Sequence, residues 1–331
     1  MKILIFDATP LVRDVYGSLL AGHTLIFHDE PVSDAALAAD ADAEVVSLFV
    51  SSKLSAAQMD MLPQLKMISL RSAGFDHCDG VHAKERGIVV SRVPKYGQHT
   101  VAEFAMGLML MLSRKLYESS RRVREDGSFA QDGLEGFDLF GKTLGVLGTG
   151  NIGRAVVGLG QGFGMEVLMF DMYPAKDLES AHARYVPLEE LLAKSDIVSV
   201  HVPYMPETHH IMNAERLAQM KQGAYLVNTA RGELVDTMAL VSALKSGHLA
   251  GAGLDVMEEE RTMKAEHEHA GGVSAEAAEH MAADHELMKM ENVIVTPHVA
   301  YFSREANRDI QEISANNVVS FVGGTPINVV A

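Results

Sequence analysis

The segment Lys142-Thr-Leu-Gly-Val-Leu-Gly-Thr-Gly-Asn-Ile-Gly-Arg154 carries the strongest structural signal in this chain. Leu144 to Leu147 have the apolar character of a short buried strand, and Gly148, Gly150 and Gly153 follow with the spacing G-x-G-x-x-G. In such a turn the first glycine permits a tight bend, the second lets the backbone approach a pyrophosphate, and the third lets the next helix pack closely on the strand. The helix N-terminus adds unpaired N–H groups and a partial positive charge. The segment therefore predicts a dinucleotide-binding turn.

The residues after this turn strengthen the prediction. An apolar segment from Ala155 to Phe163 predicts a helix, and Met165 to Phe170 predicts a second strand that ends at Asp171. A carboxylate at that position can accept hydrogen bonds from a ribose diol, and it repels a 2′-phosphate. The next residue is Met172 and not arginine, so the sequence favours NAD over NADP as the cofactor.

Composition limits the class of protein. The 331 residues suffice for two domains, and 47% apolar with 22% charged residues is typical of a soluble globular chain. No apolar run approaches the roughly 20 residues of a membrane helix, and Met1–Phe6 predicts a strand and not a secretory signal. The single cysteine, Cys78, favours a reducing compartment, hence the cytoplasm. A net charge of −16 argues against a nucleic-acid partner.

The chain alternates between predicted strands and predicted helices, which indicates parallel sheets covered by helices on both faces. The predicted strands are Lys2–Phe6, Val45–Val50, Met67–Leu70, Ile88–Val90, Ile197–Val202, Ala224–Asn228, Ala250–Val256 and Asn292–Thr296. The predicted helices are Asp14–Leu20, Ser55–Leu62, Thr100–Leu116, Ala214–Gln219, Thr237–Ser246 and Arg304–Val322. The helix from Thr100 is apolar on nearly every face, so it belongs either to the core or to an interface with a second subunit.

Two segments are harder to assign. Arg121–Asp138 is polar and predicts a surface connection. Glu258–Met290 is dense in Glu, His, Ala and Met, and its histidines at 267, 269, 280 and 285 raise the question of a metal site. Their spacing matches no usual ligand pattern, so we predict a solvated acidic segment with short helices and no metal.

Three residues have the chemistry that a hydroxy acid and keto acid pair needs. Arg231 follows a strand at the carboxyl edge of the sheet and offers a cation for a carboxylate. His298 follows the last predicted strand and offers an acid/base, and Glu260 lies beyond another strand where it can orient that base. By pattern alone, an arginine after a strand is usually a surface ion pair, and a single histidine is more often structural. Glu260 is the least specific of the three, because Glu258, Glu259 and Glu260 are adjacent.

Seven motifs together resemble one family over nearly the whole chain, the D-isomer-specific 2-hydroxyacid dehydrogenases, with most likeness to the D-lactate dehydrogenases. They are Leu70-Arg-Ser-Ala-Gly-Phe-Asp-His-Cys-Asp79, Val93-Pro-Lys-Tyr-Gly-Gln-His-Thr-Val-Ala-Glu103, Gly148-Thr-Gly-Asn-Ile-Gly153, His201-Val-Pro203, Val227-Asn-Thr-Ala-Arg-Gly-Glu-Leu-Val-Asp236, Gly253-Leu-Asp-Val256 and Thr296-Pro-His-Val-Ala-Tyr301. The resemblance implies an α/β fold of two doubly wound parallel sheets. A Rossmann NAD-binding domain, residues 100–299, would be inserted in a flavodoxin-like substrate domain, residues 1–99 and 300–331.

The resemblance also implies a role for each site residue. Arg231 would bind the substrate carboxylate and carbonyl, His298 would be the general acid/base, and Glu260 would keep the imidazole protonated near neutral pH. The implied substrate residues are Ser72, Ala73, Gly74, Tyr96 and Tyr301. The implied cofactor residues are Gly148, Gly150, Asn151, Ile152, Gly153, Arg154, Asp171, Val202, Pro203, Thr208, Thr229, Ala230 and Asp255. Among them, Ile152 and Arg154 would flank the pyrophosphate, and Asp171 would bind the ribose. Val202 and Pro203 would lie on the adenosine side, and Thr229, Ala230 and Asp255 near the nicotinamide.

The resulting hypothesis is an NAD-dependent oxidoreductase that reduces pyruvate to D-lactate. A compact pocket closed by Phe49, Tyr96 and Tyr301 favours pyruvate, while glyoxylate, hydroxypyruvate and branched-chain keto acids stay open as alternatives. Some relatives use this fold as an NAD(H)-sensing corepressor, which is an alternative from another class. The resemblance implies a homodimer or higher homo-oligomer.

Overall fold

A computed structural model describes residues 1–75, 77–260 and 275–330. The chain divides into two compact units, one formed by Met1–Gly97 with Phe302–Ala331 and the other by Gln98–Tyr301. Among the described residues, no helix combines the length and apolarity required to span a bilayer.

The helices and strands are numbered in chain order. The strands are β1 (Lys2–Ile5), β2 (Thr24–Phe27), β3 (Val45–Leu48), β4 (Met67–Leu70), β5 (Val89–Ser91), β6 (Thr143–Leu147), β7 (Glu166–Phe170), β8 (Ala183–Tyr185), β9 (Ile197–Val200), β10 (Ala224–Asn228), β11 (Leu249–Leu254) and β12 (Val293–Val295). The helices are α1 (Pro10–Leu19), α2 (Asp34–Ala39), α3 (Ala56–Asp60), α4 (Gly80–Glu85), α5 (Gln98–Arg114), α6 (Leu116–Asp126), α7 (Asn151–Gly162), α8 (Leu188–Lys194), α9 (Ala214–Gln219), α10 (Thr237–Lys245), α11 (Ala275–Leu287) and α12 (Arg304–Val322).

The first unit is a five-stranded parallel sheet with the order β2-β1-β3-β4-β5. This is the flavodoxin-like order. Alternate residues of β1 enter different cores, since Leu4 packs in one hydrophobic cluster and Ile3 and Ile5 in another. Helix α12 packs on α1 and β4, and the buried Tyr16 hydroxyl lies 2.7 Å from the Ser314 hydroxyl of that helix. The tail helix therefore completes the first unit, as predicted.

The second unit is a seven-stranded parallel sheet with the order β12-β11-β10-β9-β6-β7-β8. The strand order reverses between β6 and β9, where doubly wound sheets bind nucleotides. Apolar residues of α5 pack in the core with residues of β6, β7 and α7. The prediction that α5 belongs to the core is confirmed for the side of α5 that carries these apolar residues. Both predicted parallel α/β sheets are present, so the predicted fold class is confirmed.

Most differences from the predicted elements occur at edges and in short helices. The sequence did not predict β2 and β8, which are edge strands of four and three residues. Both strands are short, and most of their residues are half-buried or exposed, so the apolar signal of each is brief. The short helices α2, α4 and α8 were also missed, although Ser33 and Asp79 accept the hydrogen bonds that cap the first two.

Of the two segments that were harder to assign, one is at the surface as predicted and the other was wrong in part. None of Arg121–Asp138 is buried, and this connection begins inside helix α6, which has no buried residue and has an Arg121–Glu125 ion pair at 3.2 Å one turn apart. The predicted acidic segment includes α11, on which Met281, Asp284 and Leu287 are buried, so this part is not solvated. The predictions for His267 and His269 fall outside the described residues.

Candidate active site

The predicted residues of the second unit follow the carboxyl ends of adjacent strands. The glycine turn follows β6, and Asp171 follows β7. Arg231, Glu260 and His298 come after β10, β11 and β12, which are neighbours in the sheet. Because parallel strands end at one edge, these loops share the edge where open α/β sheets bind ligands.

The glycine turn has the geometry that its sequence predicts. Gly148 has a φ of 94°, and a Cβ there would lie 2.8 Å from the backbone of His201 and Val202 at the end of β9. A Cβ on Gly153 would lie 1.9 Å from the Gly148 carbonyl oxygen, so helix α7 packs directly on the turn. A Cβ on Gly150 would meet nothing within 4 Å, which leaves open space above the helix N-terminus. The turn can therefore receive a phosphate group.

Asp171 is held beside this turn by short hydrogen bonds. Its Oδ2 accepts from the Thr149 N–H at 2.7 Å, and its Oδ1 accepts from the Tyr173 N–H at 2.9 Å. The Thr149 hydroxyl lies 2.8 Å from the Tyr185 hydroxyl of β8. The carboxylate is partly exposed and has lone pairs left for a ribose hydroxyl. Arg154 forms an ion pair with Asp177 at 2.5 Å.

The loop after β10 is shaped by Asn228, which sequence reasoning did not identify. Its side-chain oxygen accepts from the Ala230 N–H at 3.0 Å, and its side-chain nitrogen donates to the Arg231 carbonyl at 2.7 Å. The Arg231 guanidinium donates to the Ala230 carbonyl at 2.8 Å. The Thr229 hydroxyl is buried and has no hydrogen-bond partner among the described residues. The sequence signal that could have identified Asn228 is an asparagine at the end of a predicted strand, shortly before Arg231.

The loop after β12 is organised by a single buried carboxylate. Asp255 is 1% exposed, and its Oδ1 accepts from the Thr296 hydroxyl at 2.5 Å and the Val299 N–H at 3.0 Å. Its Oδ2 accepts from the Ala300 N–H at 2.8 Å. Burial raises the pKa of Asp255, while these hydrogen bonds and nearby His298 oppose that shift. Predicted only as a cofactor residue, Asp255 holds the histidine loop in place.

His298 and Glu260 form the predicted pair. The imidazole Nδ1 lies 2.7 Å from Glu260 Oε1, and both side chains keep about a quarter of their surface exposed, 24% and 22%. The backbone N–H of His298 donates to the Asp255 carbonyl at 2.8 Å. His298 has a φ of 54°, which is unusual for a residue other than glycine and is stabilised here by the loop hydrogen bonds. The Tyr301 ring lies edge-on to the imidazole with 6.3 Å between centroids.

In the first unit, Ser72, Ala73 and Gly74 form a loop directly after β4. The Ser72 hydroxyl donates to the Gly74 carbonyl at 2.7 Å, and Arg92 donates to the Ala73 carbonyl at 3.0 Å. Sequence reasoning did not single out Arg71, which is 1% exposed, donates to the Phe6 carbonyl and lies 3.9 Å from the Asp7 carboxylate. Burial lowers the pKa of Arg71. The signal that could have identified Arg71 is its position immediately after the buried strand β4.

The other predicted residues lie in less informative positions. Val202 is half-buried and Pro203 exposed, directly after β9. Thr208 is buried, and its hydroxyl accepts from the Met205 N–H at 2.8 Å and donates to the Pro203 carbonyl at 2.8 Å. Its hydrogen bonds therefore serve the loop itself. Tyr96, in the first unit, is half-buried.

The residues at this edge fit a dinucleotide. The open space at Gly150 and the carboxylate of Asp171 are the features that a pyrophosphate and a ribose diol require. The Thr229 hydroxyl, which has no hydrogen-bond partner among the described residues, is available to a ligand at the same edge. Asp171 is followed by the exposed Met172 and Tyr173, so this strand end offers no cation for a 2′-phosphate.

Comparison with known proteins gives a consistent result. Residues 106–300 match the family model described as D-isomer specific 2-hydroxyacid dehydrogenase, NAD binding domain. The chain is 39% identical over 326 residues to 2-hydroxyacid dehydrogenase homolog 1 of Schizosaccharomyces pombe, covering 97% of this chain and 96% of that one. It is 38% identical over 288 residues to a glyoxylate reductase of Thermofilum pendens, covering 86% of this chain and 79% of that one.

A solved structure extends the similarity to three dimensions. D-lactate dehydrogenase from Aquifex aeolicus, complexed with NAD and lactic acid, superposes with a TM-score of 0.88 at 37% identity, covering 97% of this chain and 96% of that one. The chain therefore belongs to the D-isomer-specific 2-hydroxyacid dehydrogenases and is an NAD-dependent oxidoreductase.

Proposed function

We propose that this enzyme reduces a small 2-keto acid to the D-2-hydroxy acid, with pyruvate as the preferred substrate and D-lactate as the product. The observation that carries the proposal is the His298–Glu260 pair at 2.7 Å, held by Asp255 at the same sheet edge as Arg231 and the glycine turn. Lactic acid in the similar Aquifex aeolicus enzyme supports the choice of substrate.

His298 supplies the proton in this proposal. Glu260 accepts a hydrogen bond from Nδ1, so Nε2 is the ring nitrogen that exchanges a proton with the substrate oxygen. In reduction, the C2 carbonyl gains a hydride at carbon and a proton from His298 at oxygen, and it becomes a hydroxyl. Bound NADH supplies the hydride. In the reverse direction His298 takes the proton back.

Arg231 and the loops orient the substrate. The guanidinium of Arg231 can bind a carboxylate through two parallel N–H donors, which sets the substrate's orientation. Asn228 holds the backbone of the loop that carries Arg231. Ser72, Ala73 and Gly74, in residues 1–99 of the predicted substrate domain, stay a prediction for the substrate carboxylate. Tyr96 and Tyr301 stay a prediction for the pocket wall.

Glyoxylate is the second candidate substrate, because the Thermofilum pendens relative is a glyoxylate reductase. An NADH-oxidation assay with pyruvate, glyoxylate, hydroxypyruvate and 2-ketoisocaproate separates the candidates. We expect the highest kcat/KM with pyruvate, and a kcat about 10³-fold lower in His298→Gln on each of the four acids. A higher kcat/KM with glyoxylate would make glyoxylate, and not pyruvate, the preferred substrate. Failure to oxidise NADH with any of the acids would contradict the proposed function.

We also propose a homodimer. Helix α6 buries none of its residues in its own unit, and its Leu116, Tyr117 and Val123 are exposed. Sedimentation velocity at several protein concentrations measures this, and a purely monomeric chain would contradict it. The cytoplasmic location stays a prediction.

A further inference from the structure

A second cluster of metal-ligating side chains lies in the second unit, apart from the His298–Glu260 pair. His209, His210 and Glu258 each offer one ligand atom, and these atoms lie within 4.8 Å of one another. The two histidines follow a short helical turn after β9, and Glu258 follows β11. Three or more such atoms at this spacing are the minimum that a bound transition-metal ion needs.

The local backbone places the side chains of His209 and His210 on the same side of the chain. His210 has a φ of 47°, so its side chain does not point away from that of His209 as it would in a strand. The two imidazole rings are stacked with 3.9 Å between centroids. His210 Nε2 lies 2.6 Å from Glu258 Oε1, which aims a ring nitrogen at the carboxylate.

His280 of α11 holds the other side of the carboxylate. Its Nδ1 lies 2.9 Å from Glu258 Oε2, and its ring is parallel to that of His210 at 6.2 Å. A carboxylate that ligates a metal is usually held by a second partner in this way. His280 is thus suited to position Glu258, not to bind the ion itself.

A buried acid increases the negative charge around this cluster. Asp284 is fully buried and lines a pocket together with Glu258 and Thr237. Its Oδ2 accepts from the Glu259 N–H at 3.0 Å, while its Oδ1 has no hydrogen-bond partner among the described residues. Because the carboxylates of Asp284 and Glu258 line the same pocket, a cation at Glu258 would reduce the repulsion between them.

We propose that His209, His210 and Glu258 bind a divalent transition-metal ion such as Zn²⁺, with water as a fourth ligand and His280 as a positioning residue. Zinc bonds of about 2.0–2.1 Å place tetrahedral ligand atoms about 3.3 Å apart. The 2.6 Å separation of His210 and Glu258 needs to widen by less than 1 Å. His209 is exposed, so an ion from solvent can reach it. Two imidazoles and one carboxylate suit zinc better than calcium or magnesium.

The proposal goes against the prediction of no metal, which rested on the histidine spacing within residues 258–290. The proposed ligands come from two segments far apart in sequence, and the histidine pair at 209 and 210 lies outside that range. The bound ion would join the loop after β9 to the segment after β11.

The test uses the full-length protein, dialysed against EDTA and then titrated with ZnCl₂, with bound zinc measured by equilibrium dialysis. We expect one high-affinity Zn²⁺ per wild-type chain. His209→Gln should weaken binding about 10-fold and the double variant H209Q/H210Q about 100-fold, by analogy with the loss of metal-site partners. Co²⁺ as a probe should give visible d–d absorption in the wild type but not in the double variant.

Thermal unfolding supplies a readout independent of zinc counting. At a hundredfold excess over Kd, Zn²⁺ should raise the wild-type Tm by about 5 °C, and EDTA should reverse the shift. The double variant should show no shift. His280→Gln should weaken binding about 10-fold if it positions Glu258.

Two control variants identify the site. His182→Gln removes an exposed histidine paired with Glu166, and His298→Gln removes the active-site imidazole. Both should keep the wild-type Zn²⁺ affinity. The single variant His209→Gln controls for misfolding of the double variant, because His209 is exposed and its replacement should leave the fold intact. Equal binding by wild type and double variant, whether both bind or neither does, would overturn the proposal, and so would loss of binding in His298→Gln alone.

Discussion

The turn between β6 and α7 and the loop after β12 lie at the same edge of the same sheet, but different interactions hold them. The glycine turn is shaped by its own backbone, because Gly148 has a left-handed φ and the Gly148 carbonyl touches Gly153. The histidine loop is shaped by the distant side chain of Asp255, which accepts one hydroxyl and two backbone N–H groups.

This difference has consequences for both sites. A site made from the backbone of one short segment tolerates few substitutions of its glycines, but its shape does not depend on a distant side chain. A site held by one buried carboxylate depends on that carboxylate for its whole geometry, since each lost partner leaves a buried N–H unpaired. The following four experiments test the distinction, in order of decreasing expected effect.

His298→Gln should have the largest effect. A glutamine cannot donate a proton as an imidazolium does, so kcat should fall about 10³-fold, equivalent to about 4 kcal/mol. NADH binding, which we assign to the glycine turn, should stay near the wild-type Kd in a fluorescence titration. Wild-type turnover in the variant would show that His298 is not the acid/base, and a large loss of NADH affinity would show that the two loops are not separable.

Asp255→Ala should remove the support of the histidine loop. Three donors lose their acceptor, so the free energy of unfolding should fall by about 3 kcal/mol, and kcat should fall because His298 is no longer held. The midpoint of urea denaturation and the steady-state rate measure the two effects. Asp177→Ala, an exposed acid in the same unit, is the matched control and should leave the midpoint nearly unchanged. Equal stability of the two variants would contradict the role given to Asp255.

Gly153→Ala tests the backbone site. Its Cβ would overlap the Gly148 carbonyl, so the turn must shift, and the Kd for NADH should rise about 100-fold, equivalent to about 2.7 kcal/mol. Gly158→Ala on the same helix is the control, because a Cβ there meets nothing within 4 Å. The control should stabilise the protein by about 0.5–1 kcal/mol and leave NADH binding unchanged. Similar Kd values for both variants would show that close packing at Gly153 is unimportant.

His201→Gln should have the smallest effect, and it depends on pH. Burial lowers the pKa of His201 to about 4, from 6.5 in the unfolded chain, so below pH 6.5 the unfolded state binds more protons. The stability that this histidine contributes is complete above pH 6.5 and is lost as pH falls toward 4. Urea midpoints at several pH values measure it. The slope between pH 6.5 and 4 should be shallower in the variant, and an identical slope would refute the assignment.

Local patterns in the sequence predicted a large part of the fold. The glycine spacing, the strand before it and Asp171 after β7 lie within one short segment, and the structure has them as predicted. The bounds of β4, β10 and α12 were predicted to the residue. The two strands are short apolar runs, and the amphipathic pattern of α12 begins at a clear signal, the Ser303 cap. The short edge strands β2 and β8 were missed.

The sequence by itself determined the secondary-structure alternation, the coenzyme turn and the residue types available for proton transfer, because these depend on neighbours within a few positions. Only the tertiary structure decided that Asp255 holds the His298 loop and that Glu258 joins His210 to His280. The physical reason is that a hydrogen bond requires two atoms within about 3 Å. Residues tens of positions apart reach that distance only when β10, β11 and β12 pair in one sheet and α11 packs on α10 and into the same hydrophobic core.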